Sequence, residues 1–276
     1  AASCVNTVCI LRIDPFSDDD LTCDDFLGGA VRLWQPKKGY RAGADPVLLA
    51  ASVPAVEGDT VLELGCGGGA ALACLSARVS GITATGVEMQ PAYAALAQRN
   101  LDQNAMRATI HCADLTDLPA EVKSRRFAHV IANPPYFENT RAVAPSAPDR
   151  AMARSGELPL AKWVSVASKR LVPGGMATFI QRIDRLPELM SAFYATLGAL
   201  ELWPIQPRAN RPARLFLLRG RKEARAAFVS HPPLVLHRGD SHEKDGDSYT
   251  GLVSKVLRSA QPLPFPDPKS HQIRQG

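Results

Sequence analysis

A strand, a glycine-rich turn and a helix follow one another between residues 60 and 79. Apart from Glu63, residues 60–64 are apolar or β-branched; the next five read Gly-Cys-Gly-Gly-Gly, and alanine and leucine dominate residues 70–79. This order is typical of nucleotide-binding sheets, because glycine lets the backbone come closer to a ligand than a residue with a Cβ atom can. The unit predicts a parallel α/β sheet whose ligand crevice lies at the carboxyl ends of its strands.

Two further segments predict strands that end in acids. Residues 82–87 lead into Glu88, about 20 residues beyond the glycine turn, which is the offset of an acid that accepts hydrogen bonds from ribose hydroxyls. Residues 108–112 lead to Asp114, and Pro91 opens an amphipathic helix between the two strands. Because the carboxyl ends of parallel strands share one edge of a sheet, we expect both carboxylates to line the crevice.

The tetrapeptide Asn133-Pro134-Pro135-Tyr136 follows the apolar run 127–132, which predicts a buried strand. Two prolines cannot continue a ladder, so the strand ends at Asn133. The Asn133 amide oxygen and the Pro134 carbonyl can each accept one N–H bond from a planar amino group, whose lone pair is otherwise delocalised. Tyr136 can stack on a base, a contact worth about 1–3 kcal/mol. The alternative is an ordinary loop that begins with a Pro-Pro strand terminator.

The chain after the tetrapeptide predicts a long loop and then regular structure. Residues 137–156 lack periodicity and carry Arg141, Arg150 and Arg154, which suits a lid over a phosphate backbone. Helices are expected at 160–171 and 186–197, and strands at 176–180, 200–205 and 215–218, the last two as an antiparallel pair.

A basic cluster lies between and after the last two strands. Its members are Arg208, Arg211, Arg214, Arg219, Arg221, Lys222 and Arg225, and Glu223 is the only acid between them. Arginine forms bidentate contacts with phosphate, so the cluster predicts an RNA-facing surface. The alternative is a solvated hairpin with scattered arginines.

The two ends of the chain are predicted to be additions to the sheet. Residues 1–25 indicate a poorly ordered lead or a small edge element, and residues 30–34 a strand of a hairpin. Asp45 suits a helix N-cap and Pro46 the first helical position. We therefore divide the chain into an N-terminal extension (1–52), an α/β domain (53–228) and a C-terminal appendage with an extended proline-rich tail (229–276).

The composition limits the classes of protein to which the chain can belong. The 276 residues are 46% hydrophobic and 21% charged, which suffices for a full core, and the net charge of +5 permits a nucleic-acid partner without requiring one. Six scattered cysteines lack zinc-binding spacing, so we expect free thiols and no metal site. No signal sequence and no run of about 18 apolar residues is present, so a soluble cytoplasmic protein without a membrane partner is expected. The oligomeric state is left open.

Two cofactors fit the glycine turn. Gly65-x-Gly67-x-x-Ala70 formally matches a dinucleotide fingerprint, but the tetrapeptide has no use in hydride transfer. Glu63 lies where a carboxylate can order the turn and interact with a cationic ligand end, and Asp114 can accept from an adenine amino group. These features favour S-adenosylmethionine over NAD. No Gly-Lys-Ser/Thr follows the turn, so a phosphate-cradling loop is excluded.

The order of these motifs over residues 59–137 resembles that of class I S-adenosylmethionine-dependent methyltransferases. The resemblance implies an α/β, Rossmann-like sheet of seven strands, the last one antiparallel, with helices on both faces and a small N-terminal extension. The cofactor would lie across the carboxyl ends of the strands. The residues expected to bind it are Tyr40, Arg41, Asp45, Glu63, Gly65, Cys66, Gly67, Glu88, Met89, Asp114, Leu115 and Asn133.

Residues 33–50 resemble one particular family within this class of methyltransferases. Residues 33–41, Leu-Trp-Gln-Pro-Lys-Lys-Gly-Tyr-Arg, and residues 45–50 are similar to those of bacterial enzymes that methylate adenine N6 beside the anticodon of a valine tRNA. In that family the Gln-Pro-x-x-Gly-Tyr-Arg segment covers the cofactor. The resemblance implies a tRNA, or another structured RNA, as partner, and catalysis by Asn133, Pro134 and Tyr136. The residues expected to contact the substrate are Pro135, Phe137, Arg150, Arg154, Arg208, Arg211 and Arg214.

Other activities fit parts of the pattern. Release-factor glutamine methyltransferases use the same tetrapeptide, but they carry a helical domain before the glycine turn, where this chain has about 60 residues. Ribosomal guanine-N2 methyltransferases have a similar motif. A small-molecule O-methyltransferase would need a base or metal and no such tetrapeptide. A non-enzymatic tRNA-binding protein on the same fold would be expected to lose the acids and Asn133, which are present.

Overall fold

The computed structural model of the chain describes residues 14–136, 158–239 and 248–267. Most of these residues form a mixed sheet with helices on both faces. In chain order the elements are β1 (Leu21–Phe26), β2 (Val31–Pro36), α1 (Ala44–Ser52), β3 (Thr60–Leu64), α2 (Ala70–Arg78), β4 (Thr83–Glu88), α3 (Pro91–Gln103), β5 (Ala108–Cys112), α4 (Ala120–Lys123), β6 (Phe127–Ala132), α5 (Leu160–Arg170), β7 (Leu171–Arg182), α6 (Leu186–Thr196), β8 (Gly198–Gln206), β9 (Leu215–Arg221), β10 (Val229–Ser230), β11 (Leu234–Val235) and α7 (Gly251–Ser259).

Strands β3 to β9 form the seven-stranded sheet that the sequence predicts. Their order across the sheet is β5-β4-β3-β6-β7-β9-β8, and β9 runs antiparallel to both of its neighbours. The expected Rossmann-like architecture with one antiparallel strand is therefore confirmed. In the described part of the chain, β10 and β11 add two-residue parallel pairings to β8, which makes nine strands. Two residues are too few to produce an alternating pattern, so the sequence contains no signal for them.

The central strands are buried on both faces, as expected for parallel strands between two layers of helices. Val61 of β3 and Ile131 of β6 pack with α1, α2 and α7 on one face. Their neighbours Leu62 and Val130 pack with α5 and α6 on the other face. Successive side chains of a strand point to opposite faces, so the apolar runs at 60–64 and 127–132 contribute to both halves of the core.

Two local expectations are wrong. Helix α1 begins at Ala44 with Gly43 as the N-cap residue, and no side chain caps it, so Asp45 is not the cap. The strand expected at 176–180 begins earlier, at Leu171, which pairs with Phe127, so the Pro-Gly-Gly at 173–175 lies inside β7 and not before it. A register shift between β6 and β7 accommodates the extra residues, as a β-bulge does.

Both additions contact the sheet or the helices that cover it. The predicted N-terminal hairpin is formed by β1 and β2, and the backbone N–H of Trp34 donates to Oδ1 of Asn100 on α3 at 2.7 Å. In the C-terminal tail, Leu263 N–H donates to the Ala51 carbonyl at 2.8 Å, and Phe265 lies 5.2 Å from Trp203 between ring centroids. The proposed division of the chain at residues 52 and 228 stays a prediction.

The described residues contain neither a candidate membrane span nor a candidate metal site. No helix there is long and apolar enough to cross a membrane. The same part of the chain has no group of three or more His, Cys, Asp and Glu residues that could hold a metal ion. Four cysteines lie in it, all of them free: Cys66 and Cys74 are buried, Cys23 is half-buried and Cys112 is exposed.

Candidate active site

The carboxyl ends of the central parallel strands bring the predicted motifs to one edge of the sheet. Strand β3, which leads into the glycine turn, pairs with β4 on one side and with β6 on the other. Glu88 therefore ends the strand beside the turn, and Asn133 follows the strand on its other side. Asp114 lies just beyond β5, one strand further from the turn. The parallel order of the sheet thus assembles four separate sequence signals.

The glycine turn is held by a carboxylate and packed against a tryptophan. The N–H of Gly67, whose φ is +52°, donates to Oε2 of Glu88 at 2.9 Å. The other oxygen of Glu88 accepts from the Gln90 N–H at 2.9 Å. Gly65 has a φ of +65°, and a Cβ atom at that position would lie 2.6 Å from the ring of Trp163. The missing side chain at Gly65 therefore makes room for α5, a packing reason that the sequence did not reveal.

Glu63 is the most buried carboxylate at this edge. It is only 3% exposed, and its Oε2 atom is buried without a hydrogen-bond partner among the described residues. Burial raises the pKa of Glu63 well above its usual range, the nearby charge of Glu88 raises it further, and a hydrogen bond from the Leu72 backbone opposes both effects. A buried carboxylate oxygen without a donor is a site for a cationic or N–H-bearing ligand group.

The segment after β2 covers the glycine turn with Tyr40. Its ring lies next to Gly67, since a Cβ atom on that glycine would be 3.5 Å from Cε1 of Tyr40. The Tyr93 hydroxyl accepts from the Tyr40 N–H at 2.8 Å and so ties the segment to α3. Tyr40 is 52% exposed, yet burial of part of its side chain and then the charges of Glu63 and Asp45 raise the pKa of Tyr40 to about 12. The phenol is therefore neutral at physiological pH.

Arg41, predicted to bind the cofactor, is used to hold the covering segment. Its guanidinium donates to Asp24 of β1 at 2.6 Å and to the Pro36 carbonyl at 2.9 Å. Gln35 assists, because its Oε1 accepts from the Ala42 N–H at 2.7 Å. In this structure Arg41 acts on the site by shaping the segment that carries Tyr40, and a direct cofactor contact stays a prediction.

The tetrapeptide presents one unused acceptor and two anchored groups. Oδ1 of Asn133 is buried and has no hydrogen-bond partner within the described residues. The Pro134 carbonyl accepts from Nε2 of Gln181 at 3.2 Å, and the Tyr136 hydroxyl donates to Asp45 at 3.0 Å. Burial raises the pKa of both Tyr136 and Asp45, and the Asp45 charge adds to the rise for Tyr136. Asp45 of α1 therefore anchors the tetrapeptide instead of capping its own helix.

The sequence also predicted that Cys66, Met89, Asp114 and Leu115 bind the cofactor. The buried thiol of Cys66 lies against Gly86, where a Cβ atom would be 2.8 Å from its Sγ. Oδ1 of Asp114 accepts from the N–H of Thr116 at 2.7 Å. Met89 is half exposed and Leu115 is buried. Their contacts with a cofactor stay predictions.

The sheet divides the basic cluster between its two edges. Arg211 and Arg214 are exposed in the β8–β9 loop, at the edge that holds the tetrapeptide, because Leu215 pairs with Arg182 at the carboxyl end of β7. Arg221 lies at the opposite edge, paired with Met176 near the start of β7. The cluster is therefore not the single surface that the sequence suggested.

Arg208 departs from the expectation of an RNA-facing side chain. It is 6% exposed, and its guanidinium donates to the carbonyls of Arg238 and Gly239. The substrate surface proposed below therefore excludes it. Pro135 is exposed beside the site, whereas Phe137, Arg150 and Arg154 lie outside the described residues.

Several residues that shape the site were missed in the sequence. Gln181 contacts Pro134, Tyr93 holds the segment that carries Tyr40, and Asn100 donates to the Gly68 carbonyl at 2.9 Å. Tyr93 and Asn100 both lie on the buried face of α3. Their polar atoms on an apolar face were the available signal, because buried polar groups normally have partners.

Residues 61–152 match a family described as methyltransferase domain. The chain carries a methyltransferase domain. Among curated proteins, the tRNA1(Val) (adenine(37)-N6)-methyltransferase of Yersinia pestis is 28% identical over 208 residues, which cover 72% of this chain and 81% of the relative. The Yersinia pseudotuberculosis protein of the same name gives the same values.

Solved structures support the same assignment for the methyltransferase domain. A protein described as a predicted O-methyltransferase, Atu636 from Agrobacterium tumefaciens, superposes with a TM-score of 0.66 at 26% identity and covers 81% of this chain and all of its own. The 16S rRNA N2 methyltransferase of T. thermophilus, solved with AdoMet and guanosine, gives a TM-score of 0.51 at 25% identity over 74% of this chain and 50% of its own. The class I resemblance seen in the sequence is thereby confirmed.

S-adenosylmethionine is the cofactor of this fold, as predicted, and the methyltransferase domain fits it. Glu63 offers a buried oxygen that no group in the described part of the chain bonds, and it suits a cationic end of the ligand. The Tyr40 ring and the glycine turn form adjacent apolar and backbone surfaces at the same edge. We expect Glu63, Glu88 and the turn to hold the cofactor, which supplies an electrophilic methyl group bonded to a sulfonium.

The hydrogen bond between Tyr136 and Asp45 is expected to set the position of the tyrosine ring. Tyr136→Phe and Asp45→Ala should each lower kcat by about tenfold, as loss of one hydrogen bond to a charged group does. The double variant should be no slower than the slower single variant, because both changes remove the same contact. A double-mutant cycle on kcat measures this. Additive losses would show that the two side chains act independently.

Proposed function

We propose that the protein transfers a methyl group from S-adenosylmethionine to the N6 amino group of an adenine in RNA, most specifically in the anticodon loop of a tRNA. The observation that carries the proposal is the buried Oδ1 of Asn133, which bonds to none of the described residues and lies beside the Pro134 carbonyl. Two neutral acceptors next to one another match the two N–H bonds of a planar NH₂ group. The curated relatives, whose printed names specify adenine(37) N6 of a tRNA, support the choice of acceptor.

The chemistry of the acceptor explains why neutral oxygens suffice. An exocyclic amine is a weak nucleophile because its lone pair is delocalised into the ring. Hydrogen bonds to Asn133 and Pro134 would hold both N–H bonds on one side and direct the lone pair away from them. No proton has to leave before attack, so no general base is assigned, and water takes the proton after transfer. The contribution of the protein is then mostly positioning, for which effective molarities of about 10⁵ M or more are known.

The base itself would reach the site by leaving its stack. Extrusion costs less from a single-stranded loop than from a duplex, which favours an anticodon loop as the source of the adenine. Tyr136, anchored by Asp45, offers a ring for stacking, and its neutral hydroxyl is occupied by that carboxylate. The exposed Pro135 lies next to it.

A second candidate is methylation of guanine N2 in ribosomal RNA. The T. thermophilus neighbour, named as a 16S rRNA N2 methyltransferase, favours it. Guanine also presents a planar exocyclic NH₂, so the same two acceptors would serve. The two candidates differ in the acceptor base and not in the chemistry of Asn133.

One experiment separates these possibilities. The protein is incubated with methyl-labelled S-adenosylmethionine and, in parallel, with unmodified valine tRNA, 16S rRNA and a release factor, and the products are digested and identified by mass spectrometry. We expect N6-methyladenosine from the tRNA, and none from a transcript in which the target adenine is changed to guanine. N2-methylguanosine would establish the second candidate, and methylglutamine would contradict both.

Arg211 and Arg214 are expected to contact the phosphate backbone. Replacing both by serine should weaken RNA binding and lower the slope of log K against log salt by about 2, since each lost phosphate contact removes about one unit. The matched control is Arg221→Ser with Arg225→Ser, two exposed arginines of which the first ends β9 and the second follows it, away from the β8–β9 loop. Binding titrations over a range of salt concentrations measure the slope. Equal slopes in the two double variants would contradict the assignment.

A further inference from the structure

Gln181 lies beside the tetrapeptide although nothing in its sequence position suggests it. Strands β6 and β7 are paired up to Ala132 and Phe179, after which the prolines end β6. Strand β7 continues for three more residues, and Gln181 pairs with Phe216 of β9. The side chain of Gln181 is fully buried, with an exposure of 0%. A glutamine buried in a sheet of apolar residues needs partners for both ends of its amide.

Both ends of that amide are occupied. Nε2 donates to the Pro134 carbonyl at 3.2 Å, and Oε1 accepts from the Arg182 N–H at 2.8 Å. The bond from the Arg182 N–H fixes the plane of the Gln181 amide relative to β7. The direction from which Nε2 donates to the Pro134 carbonyl is therefore fixed as well. In an unbroken parallel ladder, a backbone N–H of β7 would serve such a carbonyl. The glutamine amide replaces that donor where the ladder has ended.

We propose that Gln181 is a positioning residue that fixes the Pro134 carbonyl for the amino group of the methyl acceptor. The inference rests on the proposed function. A carbonyl oxygen has two lone pairs, so one can accept from Gln181 while the other accepts from the substrate. With one lone pair engaged, the peptide plane between Pro134 and Pro135 cannot rotate freely, and the second lone pair keeps its direction. Gln181 therefore acts on the substrate only through Pro134.

The alternative is that Gln181 merely satisfies buried polar groups. In that case its loss would lower stability without a specific effect on turnover. The two roles differ at Gln181→Glu, because only the protonated carboxyl of a glutamate can donate to the Pro134 carbonyl. Burial raises the pKa of such a carboxyl. Within the described residues, the charged or titratable groups that interact with Tyr136 of the tetrapeptide are Asp45 of α1, Tyr40 of the covering segment and Arg182 of β7.

The test compares Gln181→Leu and Gln181→Glu with Thr178→Val. Thr178 lies on the same strand, is fully buried, and its hydroxyl has no hydrogen-bond partner among the described residues, so its replacement by valine is a matched control. The acceptor is whichever of the tRNA, 16S rRNA and release factor the wild type methylates. We expect Gln181→Leu to lower kcat by about 10- to 100-fold, with unchanged affinity for S-adenosylmethionine, and Thr178→Val to leave kcat unchanged.

The pH profile distinguishes positioning from packing. The kcat of Gln181→Glu should fall as pH rises through the pKa of the new carboxyl, relative to wild type at each pH. Equal kcat for wild type and Gln181→Leu, or a ratio of Gln181→Glu to wild type that does not change with pH, would overturn the proposal.

A measurement that needs no acceptor separates this inference from the proposed function. The side-chain NH₂ of Gln181, assigned in nuclear magnetic resonance spectra by its loss in Gln181→Leu, should be protected from exchange with water. Rapid exchange would overturn the positioning role whatever the substrate. If the wild type methylates none of the acceptors, the proposed function fails and the positioning role fails with it, even where the amide is protected.

Discussion

Replacing Asn133 by alanine is expected to lower kcat by about 10²- to 10³-fold, the loss typical when a preorganised hydrogen-bonding group is removed from a reacting centre. The affinity for S-adenosylmethionine should change little, because Glu63, Glu88 and the glycine turn remain. The buried and unpartnered Oδ1 is the reason for this separation: no described protein group uses that acceptor. Single-turnover kinetics and calorimetric titration of the cofactor measure the two quantities.

Asn133→Asp is the matched comparison. It keeps the size of the side chain and an acceptor oxygen, and it should therefore retain more activity than the alanine variant. If alanine and aspartate were equally inactive, an acceptor at this position would not be what turnover requires. A parallel loss of cofactor affinity in Asn133→Ala would contradict the separation of roles between Asn133 and the groups around the glycine turn.

Glu63→Gln is expected to weaken S-adenosylmethionine binding by about 10- to 100-fold, since hydrogen bonds to charged groups are worth about 1.5–3 kcal/mol. In the free protein, burial and the charge of Glu88 raise the pKa of Glu63, so the carboxyl keeps its proton to an unusually high pH. A cationic ligand group favours the ionised form. Binding should therefore release a proton, and affinity should rise with pH through the raised pKa and level off above it.

Two controls make this prediction specific to Glu63. In Glu63→Gln the proton release, measured by calorimetry in buffers of different ionisation enthalpy, should disappear. Ser76→Ala removes a buried hydroxyl of α2 that has no hydrogen-bond partner among the described residues, and it should bind the cofactor normally. 5′-Methylthioadenosine lacks the amino-acid end of the cofactor, so its affinity should be the same for wild type and Glu63→Gln. Equal weakening of both ligands would show that Glu63 supports only the shape of the site.

The sequence was sufficient to predict those parts of the site that depend on residues adjacent in the chain. Apolar runs of five or six residues placed β3 and β6 correctly, because strands buried on both faces need continuous apolar sequence. Glycine and proline marked the turn at 65–69 and the end of β6, since each restricts or frees the backbone locally. The parallel order of such strands then implied that Glu88 and Asn133 would share an edge.

The tertiary structure decided which side chains support those parts. Asp45 and Tyr136 are 91 residues apart in the chain, and Gln181 and Pro134 are 47 apart. No local periodicity encodes such pairs, because they arise from the packing of α1 and β7 next to the end of β6. The same packing buries Arg208. It places Arg211 and Arg214 at the sheet edge that holds the tetrapeptide, and Arg221 at the opposite edge. Local backbone preferences depend on adjacent residues and can be predicted from the sequence. Contacts between side chains that are distant in the chain form only when the helices pack on both faces of the sheet.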